Sequence, residues 1–222
     1  MTVTILTLAI GADYRKSLYK ALESKRAYAA KHMYTYIEAA EEYWDRNRPI
    51  AWSKVPFIIK QLNSLPEGAL VWQSDADVLI TNQDLKIEDH VLPLLPADKD
   101  MLLIYDACGH LNSGNILMRN TAWCRDYWRR VNERTDCTYH IWWENMAMIK
   151  IIEENASDRE KVQITNQHKR FNAYVMGLPN EPLWEQGDFL VHFAGVYKPE
   201  KMTALINDIQ SGKTPRLDMY NP

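Results

Sequence analysis

Cysteine is scarce in this chain. The three present, Cys108, Cys124 and Cys137, are odd in number and lack CxxC spacing, which argues against a disulfide framework or zinc knuckle and for a reducing compartment. No apolar run approaches the roughly 20 residues of a membrane span. No basic stretch precedes the first apolar segment, as it would in a secretory leader. An excess of cationic residues is missing too. Lys and Arg number 26 against 29 Asp and Glu, a net charge of -3, so a nucleic-acid surface is not the main business of the molecule. Glycine-rich phosphate loops are absent. Neither GxGxxG nor GxxxxGK[ST] occurs, which removes support for dinucleotide and P-loop nucleotide binding. The chain also carries no internal repeat, low-complexity tract or long linker.

What is there reads as an ordinary globular protein. Hydrophobic residues make up 46% and charged residues 25% of 222 positions, enough to bury a sizeable core. Thr2 to Ile10 is an unbroken β-branched and apolar run, as for a buried strand. Asp13 to about Met33 has helical spacing, with Leu18, Leu22 and Ala29 on one face and charged residues on the other. Further strands are expected at 34–39, 69–73, 78–80, 101–105, 115–118, 161–165 and 189–193. Further helices are expected at 53–65, with Ser53 as its cap, and at 121–132, 143–154 and 202–209. Alternating strands and helices predict an α/β sandwich around a mainly parallel sheet. Residues 1–210 are expected to form one domain, with 211–222 a polar tail or a link to a further domain.

The segment richest in chemistry is Ala69 to Asn82, ALVWQSDADVLITN. An apolar strand runs straight into Asp75-Ala76-Asp77. In open α/β sheets ligands bind beyond the carboxyl ends of strands. Two carboxylates spaced i, i+2 there can aim at one hard cation, Mg²⁺ or Mn²⁺. Such an ion neutralises charge on a departing diphosphate. A strand followed by DxD also opens the phosphatases of the haloacid dehalogenase type, where the first Asp is a nucleophile. Those need a downstream acidic pair that this chain lacks. The 8 Trp and 12 Tyr fit either core packing or stacking on sugar faces, and composition leaves the two open.

Taken in order, these motifs and others resemble the galactosyl/xylosyltransferase family 34. The pieces are Trp52-Ser53-Lys54, SDADVLITN, LNSGNILMRNTAW (Leu111 to Trp123), WWENMAM (Trp142 to Met148), RFNAY (Arg170 to Tyr174) and GDFLVHFAG (Gly187 to Gly195). The resemblance implies the GT-A nucleotide-sugar-binding fold, a Rossmann-like sandwich. It implies transfer of a sugar from a UDP-sugar donor to an acceptor hydroxyl, with a glycan as the expected acceptor and retention at the anomeric carbon. It also implies a Mn²⁺ or Mg²⁺ site on Asp75, Asp77 and His192. The implied donor-binding set is Thr7, Ala9, Tyr14, Lys54, Asp75, Ala76, Asp77, Asn112, Ser113, Gly114, Glu144, Asn172, His192, Gly195 and Lys198. Within it Asn112-Ser113-Gly114 matches a loop beside the donor sugar. Asp75 and Glu144 are the implied catalytic residues, Glu144 as the stabiliser of positive charge at the anomeric carbon. Asn145 departs from the more usual Gln of that segment. Eukaryotic relatives carry a membrane anchor that this chain lacks, so the expected location is the cytoplasm of a bacterial or virus-infected cell. A metal-dependent nucleotide-sugar hydrolase and a non-catalytic nucleotide-sugar-binding module remain as alternatives.

Overall fold

Runs of consecutive apolar residues bury on both faces of a sheet, and here they supply its centre. The computed structural model describes residues 3–218. Thr2, the expected start of the first strand, and residues 219–222 of the tail lie outside the described residues. In chain order the elements are β1 (Val3–Leu8), α1 (Ala12–Ser17), α2 (Tyr19–His32), β2 (Thr35–Ala39), α3 (Lys54–Ser64), β3 (Leu70–Ser74), β4 (Val78–Ile80), α4 (Ile87–His90) and β5 (Met101–Tyr105). They continue with β6 (Leu111–Arg119), α5 (Ala122–Glu133), α6 (Trp143–Glu154), α7 (Ala156–Lys161), β7 (Val162–Thr165), α8 (His168–Phe171), β8 (Ala173–Tyr174), β9 (Leu190–His192) and α9 (Pro199–Gln210).

The main sheet has the order β2-β1-β3-β6-β5-β7. The β1–β2, β1–β3 and β5–β7 pairings are parallel, and β6 runs against both its neighbours. The expected α/β class with a mainly parallel sheet therefore stands. Alternate residues of each strand enter opposite cores. Met101 and Leu103 join Val55, Ile58, Tyr127, Trp128 and Met148 beneath α3, α5 and α6. Leu102 and Ile104 join Tyr28, Trp72, Phe171 and Phe189 on the other face. A small second sheet, β4-β9-β8, stands beside the main one. A third cluster gathers Leu18, Leu22, Trp184, Phe193 and Ile206 around it.

Three local expectations need correction. The helix from Asp13 to Met33 is two helices that break at Leu18, whose φ is -99° and ψ 9°. There Ser17 Oγ donates to Tyr14 O at 2.7 Å and Thr203 Oγ1 donates to Ser17 O at 3.2 Å. Side-chain bonds to the backbone thus compete with the helical ladder. Ser53 does not cap α3. A 3₁₀ turn over Ile50–Ser53 runs directly into the helix, and Ser53 Oγ instead accepts Asp45 N–H at 3.1 Å. Asn112-Ser113-Gly114 is not a loop but part of β6. By contrast Thr121 does cap α5, accepting Cys124 N–H at 3.2 Å. The first residues of the expected tail dock back on the molecule, with Leu217 N–H donating to Val175 O at 2.9 Å.

Candidate active site

The site grows from the carboxyl end of β3. Because β6 is antiparallel to β3, its first residues lie beside the last of β3, and Ser74 pairs with Asn115. Asp75 N–H donates to Gly114 O at 2.8 Å, and Val78 N–H closes a turn on Asp75 O at 3.2 Å. The chain then leaves the main sheet as β4 and pairs with β9, which sets Val78 opposite His192. One tight turn and one strand change thereby bring two carboxylates and an imidazole together. Ligand atoms of Asp75, Asp77 and His192 all lie within 4.8 Å of one another.

A polar relay orients the imidazole. Trp72 Nε1–H donates to Asn115 Oδ1 at 2.9 Å, and Asn115 Nδ2 donates to Asn172 Oδ1 at 2.8 Å. Asn172 Nδ2 donates to Asn112 Oδ1 at 3.1 Å and to the Tyr174 hydroxyl. Asn172 Oδ1 is therefore an acceptor, and His192 Nδ1–H gives it a bond of 3.0 Å. That leaves Nε2 to face Asp77 Oδ1, 3.4 Å away. This is the second-layer arrangement that tunes a histidine for a metal. Gly114 makes room for it. A Cβ there would stand 2.0 Å from His192 Cε1. Two carboxylates and one imidazole suit a hard or borderline divalent cation.

Beside the acidic pair lies a buried charge cluster. Lys54, at the start of α3, has its Nζ 3.0 Å from Asp75 Oδ1, 3.0 Å from Glu144 Oε1 and 3.2 Å from Ser113 Oγ. Burial lowers the pKa of this ammonium, but the Asp75 and Glu144 carboxylates outweigh it and hold the value above that of an ordinary lysine. Ser113 Oγ donates to Glu144 Oε1 at 3.0 Å, and Gln73 Nε2 donates to Asp75 Oδ1 at 2.9 Å. Glu144 lies in the first turn of α6, just after Trp143, a non-glycine residue held at a φ of 43°. Gln73 Oε1, Ser74 Oγ and Glu144 Oε2 are buried without a partner among the described residues. Unpaired buried polar atoms are costly and rare, and two of these, Gln73 Oε1 and Glu144 Oε2, belong to side chains bonded into this cluster.

Beneath the turn sits a second lysine. Lys25 of α2 is fully buried, and its Nζ donates to Asp75 O at 2.5 Å and Ala76 O at 3.2 Å. Burial lowers its pKa to about 7 against the raising pull of Asp77 and Asp75. Burial pushes the Asp77 carboxyl up, but the His192 ring and Lys25 prevail and hold it below the usual carboxylate range.

The sequence model of the galactosyl transferase GMA12/MNN10 family matches residues 2–96 and 94–202. The chain belongs to this family. An uncharacterized alpha-1,2-galactosyltransferase of Schizosaccharomyces pombe is 26% identical, covering 79% of this chain and 55% of its own length. The chain spans little more than half the length of the curated relatives it matches most extensively. Among solved structures, a glycosyltransferase involved in glycosylation of the major capsid of PBCV-1 has a TM-score of 0.71 at 14% identity, covering 93% of this chain and 99% of that one. The galactosyltransferase LgtC, solved with donor and acceptor sugar analogs, has a TM-score of 0.54 at 14% identity, covering 98% of each chain. The fold is GT-A, as the sequence resemblance implies.

In this family member the expected site residues fall into two groups. Lys54, Asp75, Ala76, Asp77, Asn112, Ser113, Gly114, Glu144, Asn172 and His192 form the connected cluster just described. The others ring it. Thr7 is fully buried and spends its hydroxyl on Ser74 O at 3.0 Å. Ala9 donates its N–H to Ala39 O at 3.0 Å and accepts Arg15 Nη1–H at 3.3 Å, so both of its backbone groups already have partners. Tyr14 is partly exposed on α1. Burial, then the negative charge of Asp77 and Asp75, raises its phenol pKa. Gly195 turns the chain at a φ of 79° against Met176, three residues past His192. Lys198 stands exposed where α9 begins, and none of the cluster's hydrogen bonds reaches it. Lys25 and Asn115 are absent from the expected set. Lys25 had a visible signal, since it shares helical spacing with Leu18, Leu22 and Ala29 and so lies on the apolar face. Among the described residues no helix is long and apolar enough to cross a membrane.

Proposed function

We propose that this chain transfers a sugar from a UDP-sugar to an acceptor hydroxyl with Asp75, Asp77 and His192 holding Mn²⁺ or Mg²⁺. The observation that carries the reading is the convergence of these three ligands at a strand end in a GT-A fold. The names of the relatives put galactose first among the donors to test, and a glycan is the proposed acceptor. A bound cation would neutralise the leaving diphosphate. The chain's own groups do the rest. Lys54 adds fixed positive charge beside Asp75, and Lys198 is placed in sequence to approach the diphosphate from the other rim. Thr7, Ala9 and Tyr14 flank the nucleoside side. Ala9 acts there through packing, since its backbone bonds are taken.

Asn112, Ser113 and Gly114 border the sugar, and Gly195 keeps the rim beyond His192 narrow. Glu144 Oε2, buried and without a partner, supplies an acceptor for a sugar hydroxyl and negative charge for the electron-poor anomeric carbon. In the transfer the anomeric C–O bond to the diphosphate breaks and one to the acceptor oxygen forms. The acceptor proton passes to a diphosphate oxygen. Attack on the face that the diphosphate leaves gives retention. The pairing of Glu144 Oε1 with Lys54 favours an electrostatic role for Glu144 over covalent capture of the sugar.

A thermal-shift screen of nucleotide sugars with and without Mn²⁺ tests the proposal. A UDP-sugar, UDP-galactose first, is expected to raise the melting temperature only when Mn²⁺ is present, and Asp77→Ala is expected to abolish the effect. Failure of every UDP compound to respond would sink it.

A further inference from the structure

A lysine with no exposed surface needs an explanation. A methionine fills a similar volume without the cost of desolvating an ammonium. Lys25 projects from α2 to the underside of the Asp75-Ala76-Asp77 turn, where its Nζ donates to two successive carbonyls, Asp75 O at 2.5 Å and Ala76 O at 3.2 Å. A trans peptide is planar, with its C=O and N–H pointing in opposite directions. Fixing those two carbonyls therefore fixes both peptide planes that join Asp75 to Asp77. The amides of Ala76 and Asp77 are turned to the far side, and the two Cβ vectors are set with them.

The rest of α2 grips the same segment. Ser24 Oγ accepts Ile80 N–H at 3.0 Å, and Tyr28 donates to Leu85 O at 2.7 Å. The carboxylate of Glu38, whose charge also acts on Lys25, is held elsewhere. It is already bonded by Arg15 at 2.8 Å and Arg26 at 2.6 Å.

We propose that Lys25 is a positioning residue that holds the Asp75–Asp77 turn, from beneath, in the geometry that binds a divalent cation. The inference rests on the metal-dependent reading above. It extends the site to a second layer on a helix that contributes no ligand of its own.

The test is Mn²⁺ binding in the presence of UDP, read from the electron paramagnetic resonance of free Mn²⁺. Unfolding and circular dichroism are followed in parallel. Lys25→Met is expected to keep the fold and lose about tenfold or more in Mn²⁺ affinity, the range typical of second-layer changes. Transfer by this variant is expected to recover toward wild type at saturating Mn²⁺, a rescue that a generally damaged core would not show. Lys25→Gln, which keeps an N–H donor of shorter reach, is expected to fall between the two and replaces Lys25→Met if that variant does not fold. Unchanged or tighter Mn²⁺ binding by a folded variant overturns the inference, as does failure of both variants to fold, which would assign Lys25 to the core alone. If the wild-type chain takes up no Mn²⁺ with or without UDP, the metal reading falls before any substitution is made, and this inference falls with it.

Discussion

Two carboxylates in this molecule are buried to nearly the same degree and treated very differently. The Asp158 side chain is 6% exposed and that of Glu144 is 4% exposed. Asp158, on α7, receives a two-pronged clasp from Arg130, at 2.6 and 2.7 Å, and a third bond from Trp123 Nε1 at 2.8 Å. Both of its oxygens are satisfied, and its role ends at tying α5 to α7. Glu144 has one oxygen bonded to Lys54 and Ser113 and the other without a partner among the described residues. Burial is the same, so satisfaction is what differs. A fully paired buried carboxylate marks structure, whereas a half-paired one beside open ligand positions marks a place for a substrate.

The largest break in that comparison should come from Lys54→Met. It leaves Asp75 and Glu144 facing each other without their shared cation, and losing one partner of a buried pair costs about 3–5 kcal/mol. Urea unfolding is expected to register that loss together with near-complete loss of transfer. Gly114→Ala should act next. Its added Cβ would overlap the His192 ring, and overpacking of this kind costs about 1–3 kcal/mol. The ring must move, so Mn²⁺ affinity is expected to fall more steeply than stability. Titration of Mn²⁺ beside a melting curve separates the two.

The smallest effect on transfer should come from Asp158→Asn, which is expected to leave transfer unchanged and cost about 1–3 kcal/mol of stability. The bond from Arg130, against the opposing effect of burial and helped by Trp123, holds the Asp158 carboxyl below its usual range. A depressed folded value stabilises above the ordinary Asp value of about 4 and loses that stabilisation as pH falls through the folded value. The difference between Asp158→Asn and wild type should therefore be largest near neutrality and close as the solution becomes acidic. Persistence of the full difference in acid would show that the pair acts through packing rather than charge.

Much of this was legible in the sequence because it depends on local pattern. Continuous apolar runs mark strands buried on both faces, and β1, β3 and β5 stand where such runs occur. The DxD turn follows from a strand stopping at two acids, and Thr121 announces α5 through its cap. The short pieces were not legible, because α4, α7, α8 and β8 are too brief for a period to develop. The break at Leu18 was hidden because it depends on Thr203, far away in sequence. Lys25 was read with the charged face of its helix, although its spacing matches Leu18, Leu22 and Ala29. Tertiary partners that no sequence pattern displays make that lysine tolerable in the core. Gly114 was read as giving access to a sugar, yet its immediate neighbour is the His192 ring.

The pairing of β4 has a consequence for how the site comes into being. Among the described residues β4 adjoins β9 and no strand of the main sheet, and β9 comes far later in sequence. During synthesis the residues of the acidic turn emerge long before the segment that brings His192. A nascent chain therefore carries two aspartates but no three-ligand site until β9 docks. Assembly of the proposed metal site and docking of β9 on β4 are one event, and metal uptake can serve as a readout of that docking.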